Sequence, residues 1–313
     1  MKKITVIGAG NVGATCANVI AHKNLAEEVV LVDIKEGLAE GKALDIWQSS
    51  SINNFDTRVV GCTDDYEKTK GSGIIVITSG LPRKPGMSRD DLIKTNAVIV
   101  KEVTEKAVRH SPDAIIIVVS NPLDVMTYAA FLASGSKPNK VFGMAGILDT
   151  GRFKAFLAGA LNISPNDIQT MLLGGHGDSM VPLPRYTTVS GIPVTQLLEK
   201  DVIDRIVERT RKGGGELVAL MGTSAWYAPG AAVAQMVEAI VDNQNRIFPV
   251  CAYLTGQYGQ KEIYLGVPVK LGMNGVEEVI EIDLNAEEKQ MLETSAGSVR
   301  NVMKVLDDLK LFG

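Results

Sequence analysis

The sequence predicts an α/β protein in which a doubly wound parallel sheet comes first and an α+β domain follows. Short β-rich runs alternate with longer helical stretches through the first half of the chain, which is typical of parallel strands joined by helices. Several of these runs are continuously apolar, as expected of strands covered on both faces. The pattern changes near Gly146, so we expect domains over residues 1–145 and 146–313.

The predicted elements follow this division. The runs interpreted as strands of the first domain are Ile4–Ile7, Val29–Val32, Arg58–Gly61, Ile74–Thr78, Ala114–Val119 and Lys140–Gly143. In the second domain a helix is predicted from about Thr150, and a last helix from Asn285, where Glu288 forms an imperfect capping box. The hairpin strands predicted between them are Gln169–Leu173, Met180–Pro182, Thr187–Val189, Glu262–Pro268 and Glu277–Ile282.

Composition excludes several classes of protein. The chain has 313 residues, of which 45% are apolar and 22% charged, and its net charge is -4. Without a long basic block, binding to nucleic acid or to an anionic membrane is not expected. No apolar stretch is long enough to span a bilayer, and glycines interrupt the N-terminal apolar run too early for a signal peptide.

The three cysteines, Cys16, Cys62 and Cys251, lie far apart in the sequence and form no CxxC pair. Metal sites and disulfide frameworks usually need paired cysteines. We therefore expect no metal site and interpret the thiols as small buried side chains in a reducing cytoplasm.

A glycine-rich turn follows the first predicted strand. Gly8, Ala9, Gly10, Asn11, Val12 and Gly13 form this GxGxxG motif, and a helix is predicted over Asn11–His22. The first glycine permits a tight turn, the second lets a pyrophosphate approach the backbone, and the third lets the helix pack on the strand. The helix N-terminus then offers free N–H groups to phosphates. This is the pattern of a Rossmann dinucleotide site.

Asp33 makes this interpretation more specific. It ends the second predicted strand, 20 residues after Gly13. A carboxylate at this place accepts hydrogen bonds from ribose hydroxyls and repels a 2′-phosphate, which favours NAD over NADP. FAD or another adenosine ligand remains an alternative on the motif alone.

One of the three histidines stands out. His22 and His110 lie near predicted helix ends, where a cation meets the negative end of the dipole. His176 instead has glycine on both sides, which suits a place where a backbone or ligand must approach closely. It is a candidate general acid or base, and a hydrogen-bonded core histidine is the alternative.

A catalytic histidine is helped by a carboxylate that holds its other ring nitrogen. Asp149 is the candidate partner and Asp178 the local alternative. Arg152 follows Asp149 by three residues and would lie on the same side of a helix. A helix cap with a surface ion pair would also explain this spacing.

Further polar residues follow the predicted strands at the sheet edge where ligands bind. Arg83 and Arg89 lie in a Gly- and Pro-rich loop after Ile74–Thr78 that is a candidate lid, although a solvated basic loop is possible. Asn121 follows the most apolar strand and would place its amide in the same crevice.

Taken together, these motifs resemble the lactate/malate dehydrogenase family. The segments GAGNVG, LPRKPGMSRDDL, VSNPLD, LDTGRF, GGHGDSMVPL and MGTSAWYAPG match in order over nearly the whole chain. The resemblance implies reversible oxidation of a 2-hydroxy acid by NAD. It also implies a homo-oligomer, either tetramer or dimer, in the cytoplasm. A non-catalytic NAD-binding sensor is the alternative, but it would not need all of the candidate catalytic groups.

The resemblance also implies roles for individual residues. His176 would be the general base and Asp149 its partner, Arg152 would bind the substrate carboxylate, and Arg89 would polarise the carbonyl oxygen. Asn121 would contact both substrate and cofactor. Asn96 and Val119 would line the cofactor site, and Ser224 or Thr223 would lie against the substrate.

The resemblance places substrate selection at Arg83, six residues before Arg89. The family typically has glutamine there in lactate dehydrogenases and arginine in malate dehydrogenases. A closed lid would desolvate the second carboxylate of malate, and a buried charge without a partner costs about 3–5 kcal/mol. We therefore expect malate and oxaloacetate, with lactate and pyruvate as the alternative. The segment around Trp226 resembles the lactate-dehydrogenase pattern, so the resemblance is to the lactate-dehydrogenase-like subgroup of malate dehydrogenases.

Overall fold

The computed structural model describes residues 1–82 and 89–312, without the side chain of Arg89. The strands are β1 (Lys3–Ile7), β2 (Glu28–Asp33), β3 (Arg58–Thr63), β4 (Ile74–Ile77), β5 (Ile115–Val118), β6 (Val141–Gly143), β7 (Ile168–Gln169), β8 (Leu172–Leu173), β9 (Val181–Pro182), β10 (Thr188–Val189), β11 (Ile192–Pro193), β12 (Arg246–Thr255), β13 (Lys261–Gly272) and β14 (Gly275–Val279). The α-helices are α1 (Asn11–His22), α2 (Leu38–Gln48), α3 (Ser50–Asn53), α4 (Arg89–His110), α5 (Leu123–Ser134), α6 (Gly146–Leu161), α7 (Lys200–Met221), α8 (Tyr227–Val241) and α9 (Ala286–Asp308).

The main sheet has nine strands in the order β14-β13-β12-β6-β5-β4-β1-β2-β3. Its six N-terminal strands pair in parallel. The strand order reverses between β1 and β4, and in doubly wound sheets ligands bind outside the carboxyl ends of the strands at this point. The predicted fold class is therefore confirmed. The reversal of strand order places a candidate ligand crevice at the carboxyl ends of β1 and β4.

The buried strands have the continuous apolar character that the sequence predicts. Every residue of β4 and β5 is buried, because helices cover the sheet on both sides. These strands belong to the large core that also contains much of α8 and α9.

The second half of the chain extends the same sheet. Strand β12 pairs antiparallel with β13 and meets β6 at Cys251 and Gly143. The sequence analysis did not predict β12, which contains Pro249, a residue type that is unusual in a central strand. In the structure Pro249 lies directly opposite Pro268 of β13, so both residues of this cross-strand pair are prolines. The predicted strand Glu262–Pro268 lies inside the longer β13.

Two other predicted boundaries were wrong. Helix α6 begins at Gly146 rather than near Thr150. Gly146 does not interrupt the helix. It allows α6 to pack closely on Pro249 of β12, because a Cβ at position 146 would lie 2.7 Å from Pro249 Cβ. The predicted strand Gln169–Leu173 is divided into β7 and β8, which pair with different partners. The capping box predicted at Asn285 and Glu288 is confirmed.

The loop that carries His176 is attached directly to the main sheet. Gly174 and Gly266 of β13 exchange both backbone hydrogen bonds, with N–O distances of 2.8 and 3.1 Å. A Cβ at Gly266 would lie 2.3 Å from the Gly174 carbonyl oxygen. Only glycine therefore permits this close contact.

We predict that Gly266→Ala destabilises the protein by about 1–3 kcal/mol, because the added methyl group overpacks this contact. Thermal unfolding would show the loss as a lowered melting temperature. Gly297→Ala is the matched control, since no atom of the described residues lies within 4 Å of a Cβ at that helical position. Equal melting temperatures for the two variants would contradict the packing role of Gly266.

Candidate active site

The glycine turn after β1 requires glycine at some positions for protein packing and not at others. Gly8 has a φ of +103°, and a Cβ at Gly13 would lie 1.8 Å from the Gly8 carbonyl oxygen. A Cβ at Gly10 would have no atom of the described chain within 4 Å, and its φ of −64° suits any residue. The glycines at 8 and 13 therefore shape the turn, whereas the bare Cα of Gly10 leaves open the space in front of α1.

Asp33 ties this turn to the end of β2. Its Oδ2 atom accepts a hydrogen bond from the Ala9 N–H at 2.6 Å, and its Oδ1 atom accepts one from the Lys35 N–H at 2.9 Å. A carboxylate can accept about four hydrogen bonds, so lone pairs remain for a ligand. Since Gly10 is the N-cap of α1, no side chain covers the first amides of the helix. The turn, the helix end and the carboxylate together fit the pyrophosphate and ribose of a dinucleotide.

Asn96 organises the neighbouring segments from inside the protein. Its side-chain amide is buried, donates to the backbone oxygens of Leu81 and Asn121, and accepts from the Leu81 N–H. This amide is therefore already used by the backbone, and any part it has in a cofactor site is indirect. Val119 and Asn121 themselves line the adjoining cavity.

A cavity of about 950 Å³ lies at the carboxyl end of the sheet. Residues from the glycine turn, from the segments after β5 and β8, and from helices α5 to α9 surround it. The sequence-predicted site residues in its wall are Val12, Val119, Asn121, Arg152, His176 and Ser224. The structure thus brings together residues that are more than 200 positions apart in the chain.

His176, in the wall of this cavity, is paired with Asp149, which lies buried behind it. The imidazole Nδ1 lies 2.8 Å from Asp149 Oδ2, and the Asp149 carboxylate is almost fully buried. Asp178, the alternative partner, has an exposed side chain. With Nδ1 held by a carboxylate, Nε2 is the nitrogen that can exchange a proton with a ligand.

The surroundings of His176 favour its charged form. Burial lowers the pKa of the imidazole, but Asp149 raises it through its charge and its hydrogen bond. Asp124 raises this pKa further and Arg152 lowers it, and the sum lies above the ordinary value of histidine. An imidazole tuned in this way accepts a proton readily near neutral pH.

Asp124 is a functional candidate that the sequence analysis missed. Its buried carboxylate accepts the His176 backbone N–H at 3.1 Å and the Cys251 thiol at 3.3 Å. Burial raises the pKa of this carboxyl group. The signal was weak, because an acidic residue in the first turn of a helix usually only complements the dipole.

Ser295 of α9 supports the same loop from the other side. Its hydroxyl oxygen accepts a hydrogen bond from the Gly175 N–H at 2.8 Å. Two consecutive backbone amides, those of Gly175 and His176, are thus held by side chains from α9 and α5. The loop that carries His176 is therefore held through its backbone as well as through the imidazole of His176.

Arg152 lies beside the pair with an incomplete set of partners. Its Nη1 atom is 3.3 Å from Asp149 Oδ1, and its side chain is 14% exposed. Its buried Nε atom has no hydrogen-bond partner among the described residues. Buried polar groups are normally paired, so this guanidinium is suited to a carboxylate that arrives with a ligand.

The remaining predicted residues are placed as follows. Arg83 lies outside the described residues, and Arg89 is the first residue of α4 with its side chain likewise undescribed. Thr223 is not in the cavity wall, unlike its neighbour Ser224. No group of three or more His, Cys, Asp or Glu side chains in the described ranges could hold a metal ion.

A dinucleotide turn that shares one crevice with a His–Asp pair and an arginine defines a nicotinamide-dependent dehydrogenase. The chain belongs to the lactate/malate dehydrogenase family. The family's NAD binding domain matches residues 2–143, and its alpha/beta C-terminal domain matches residues 147–308. The expected cofactor, NAD, is confirmed by this match.

Similar proteins match over almost their whole length. A malate dehydrogenase of Cytophaga hutchinsonii is 66% identical over 307 residues, which is 98% of each chain. A malate dehydrogenase of Salinibacter ruber is 61% identical over 98% of this chain and 97% of its own.

Solved structures show the same architecture. The malate dehydrogenase of Salinibacter ruber superimposes with a TM-score of 0.95 at 58% identity, covering 98% of both chains. A lactate dehydrogenase of Cryptosporidium parvum in complex with lactic acid and nicotinamide adenine dinucleotide has a TM-score of 0.93 at 38% identity, again over 98% of both.

The glycine turn generates a paired prediction. We expect Gly10→Ala to weaken NADH binding by about tenfold or more with no loss of thermal stability, because its methyl group would occupy only the ligand's space. Gly13→Ala should lower both, because its Cβ would collide with the turn itself. Fluorescence titration with NADH and thermal unfolding measure the two effects. Unchanged NADH binding in Gly10→Ala would contradict this assignment.

The charges around His176 generate a second prediction. We expect Asp124→Asn and Asp149→Asn each to lower the pKa of His176, because both carboxylates stabilise the imidazolium. The shift should be larger for Asp149→Asn, which also changes the hydrogen bond to Nδ1. NMR titration of the imidazole C–H signals measures it, and His22 and His110 serve as internal controls. If the pKa of His176 stayed constant in both variants, the two carboxylates would not be stabilising its imidazolium.

Proposed function

We propose that this chain catalyses the reversible NAD-dependent interconversion of malate and oxaloacetate. The observation that carries the proposal is one cavity whose wall contains Val12 of the glycine turn, His176 paired with the buried Asp149, and Arg152, whose Nε has no partner among the described residues. Full-length relatives named malate dehydrogenase support the choice of substrate.

The chain's own residues provide the acid–base chemistry of the proposal. His176 takes the proton of the substrate hydroxyl at Nε2, and Asp149 stabilises the resulting imidazolium. Arg152 binds the carboxylate next to the reacting carbon in a bidentate pair, and Arg89 polarises the carbonyl oxygen. Asn121 donates a hydrogen bond in the cleft. When bound, NAD supplies the hydride acceptor, and in its reduced form the donor.

The cofactor would be held by the first domain. We assign the pyrophosphate to the turn Gly8–Gly13 with Ala9, Gly10, Asn11 and Val12, and the adenosine ribose to Asp33. Val119 and Asn121 would face the nicotinamide half, with Asn96 holding the backbone behind them. We place the boundary between the two domains at residues 145 and 146. Residues 146–313 would supply the proton-transfer groups and most of the substrate contacts.

We assign substrate selection to Arg83. Its guanidinium would pair with the second carboxylate of malate, and an unpaired charge in a closed site costs about 3–5 kcal/mol. This corresponds to roughly two to four orders of magnitude in discrimination.

We further propose a homo-oligomer, a tetramer or a dimer, that works in the cytoplasm and serves the tricarboxylic acid cycle. Large apolar side chains on α2 and α3 are exposed in the single chain, Ile52 at 78% and Trp47 at 45%, and a second subunit would cover them. The three cysteines are buried and unpaired, which suits a reducing compartment. No helix of the described residues is long and apolar enough to cross a membrane.

The substrate assignment predicts that the protein oxidises NADH with oxaloacetate far faster than with pyruvate. Arg83→Gln should lose about a hundredfold or more of its activity on oxaloacetate, because the second carboxylate loses its partner, while NADH affinity stays nearly constant. Steady-state assays with both keto acids and an NADH titration measure this. A preference of the unmodified protein for pyruvate would refute the role of Arg83. A joint loss of activity and NADH affinity in the variant would indicate that Arg83 shapes the fold instead.

A further inference from the structure

Helix α7 contains three consecutive glycines in its interior. Gly213, Gly214 and Gly215 lie within the continuous helix Lys200–Met221, and none has a positive φ. A glycine in a helix interior costs about 1 kcal/mol relative to alanine. Neither a turn nor the helix end explains this segment, so its cause lies in what it contacts.

The contacts of the three positions are graded. A Cβ at Gly213 would lie 3.2 Å from Cδ and 3.7 Å from Nε of Arg152. At Gly214 it would lie 3.9 Å from Nη1 and 4.0 Å from Nη2 of the same arginine, which is ordinary contact. At Gly215 it would have no described atom within 4 Å. Only at the first position would a Cβ make a contact tighter than ordinary van der Waals distance, and the atom it would press on is Arg152 Cδ.

Few other groups fix the position of Arg152. Asp149 holds one side of the guanidinium through Nη1, and the buried Nε has no partner in the described ranges. The opposite side rests on the bare backbone of α7. A methyl group at position 213 would therefore push the Cδ–Nε segment away from the helix, and the ion pair alone would not restore its place.

Side chains brace the helix across the glycines. Arg209 and Glu216, seven residues apart, form a bidentate ion pair with N–O distances of 3.0 and 2.6 Å that spans this segment. The Arg209 guanidinium also lies 4.2 Å from the centre of the Phe156 ring on α6, the helix that carries Arg152. The glycine segment is thus tied to the helix it packs against, which favours a fitted contact over a free hinge.

We propose that Gly213 is a positioning residue for the substrate. Because Gly213 has no side chain, the Arg152 guanidinium can lie against α7. In that position it can donate two hydrogen bonds to the substrate carboxylate. This inference rests on the proposed function only in assigning that carboxylate to Arg152. The contacts between Gly213 and Arg152 fix the position of the guanidinium whatever ligand it binds.

The alternative is that the glycines act by softening the helix. Softness would make alanine at 213, 214 and 215 equivalent, because each substitution stiffens the same helix by a similar amount. A fitted contact predicts instead a displacement of the Arg152 guanidinium that is largest for alanine at 213, smaller at 214 and absent at 215.

The test compares Gly213→Ala, Gly214→Ala and Gly215→Ala in the full-length protein. We expect the KM for oxaloacetate to rise about tenfold in Gly213→Ala, corresponding to the loss of one good interaction, with a much smaller change in kcat. Gly215→Ala is the matched control for the position of Arg152 rather than for KM, because Gly215 lines the cavity and its Cβ would face the ligand's space. The dissociation constant of NADH should stay constant in Gly213→Ala, because Gly213 is not in the cavity wall.

Crystal structures of Gly213→Ala and Gly215→Ala provide a readout that does not depend on activity, and we expect the Arg152 guanidinium to be displaced from α7 in Gly213→Ala alone. An undisplaced guanidinium in Gly213→Ala, or an equal displacement in Gly215→Ala, would overturn the inference. Failure of the unmodified protein to turn over oxaloacetate would overturn the proposed function alone, since the displacement of Arg152 would still be measurable.

Discussion

The site depends on one buried carboxylate, that of Asp149, which is shared between the imidazole of His176 and the guanidinium of Arg152. A buried charge is tolerated only when it is paired and hydrogen-bonded, so the three groups fix each other's positions. Asp149 lies in the first turn of α6, and that helix begins where Gly146 packs on Pro249 of β12. The position of Asp149 is therefore fixed by the packing of α6 on β12, in the antiparallel part of the main sheet.

The same sheet also holds the dinucleotide end of the cleft. Strand β1 leads into the glycine turn, while β13 holds the histidine loop through its contact with Gly174. The glycine turn and the histidine loop are therefore attached to a single nine-stranded sheet, the turn through β1 and the loop through β13. Hydrogen-bonded strands, rather than a linker, join the two parts of the cleft.

Local chemistry made much of the site predictable from sequence. The glycines of the turn, the glycines beside His176 and the three-residue spacing of Asp149 and Arg152 each have a meaning within a short window. The unpredicted features depend on distant partners. Pro249 is unusual in a central strand such as β12 and lies opposite Pro268, and Asp124 resembles any acidic residue in the first turn of a helix until the His176 amide is placed beside it. Gly213 likewise has no explanation before Arg152 lies against it.

The hydrogen bond from the Ala9 N–H to Asp33 matters for the redesign of cofactor preference. The carboxylate that would repel a 2′-phosphate also closes the glycine turn from below, so cofactor choice and turn geometry share one side chain. Replacing Asp33 with an apolar or basic residue would remove the acceptor of the buried Ala9 amide as well as a negative charge. An engineered NADP-dependent variant therefore needs a side chain at position 33, or a second substitution near it, that still offers an oxygen to Ala9 without the charge.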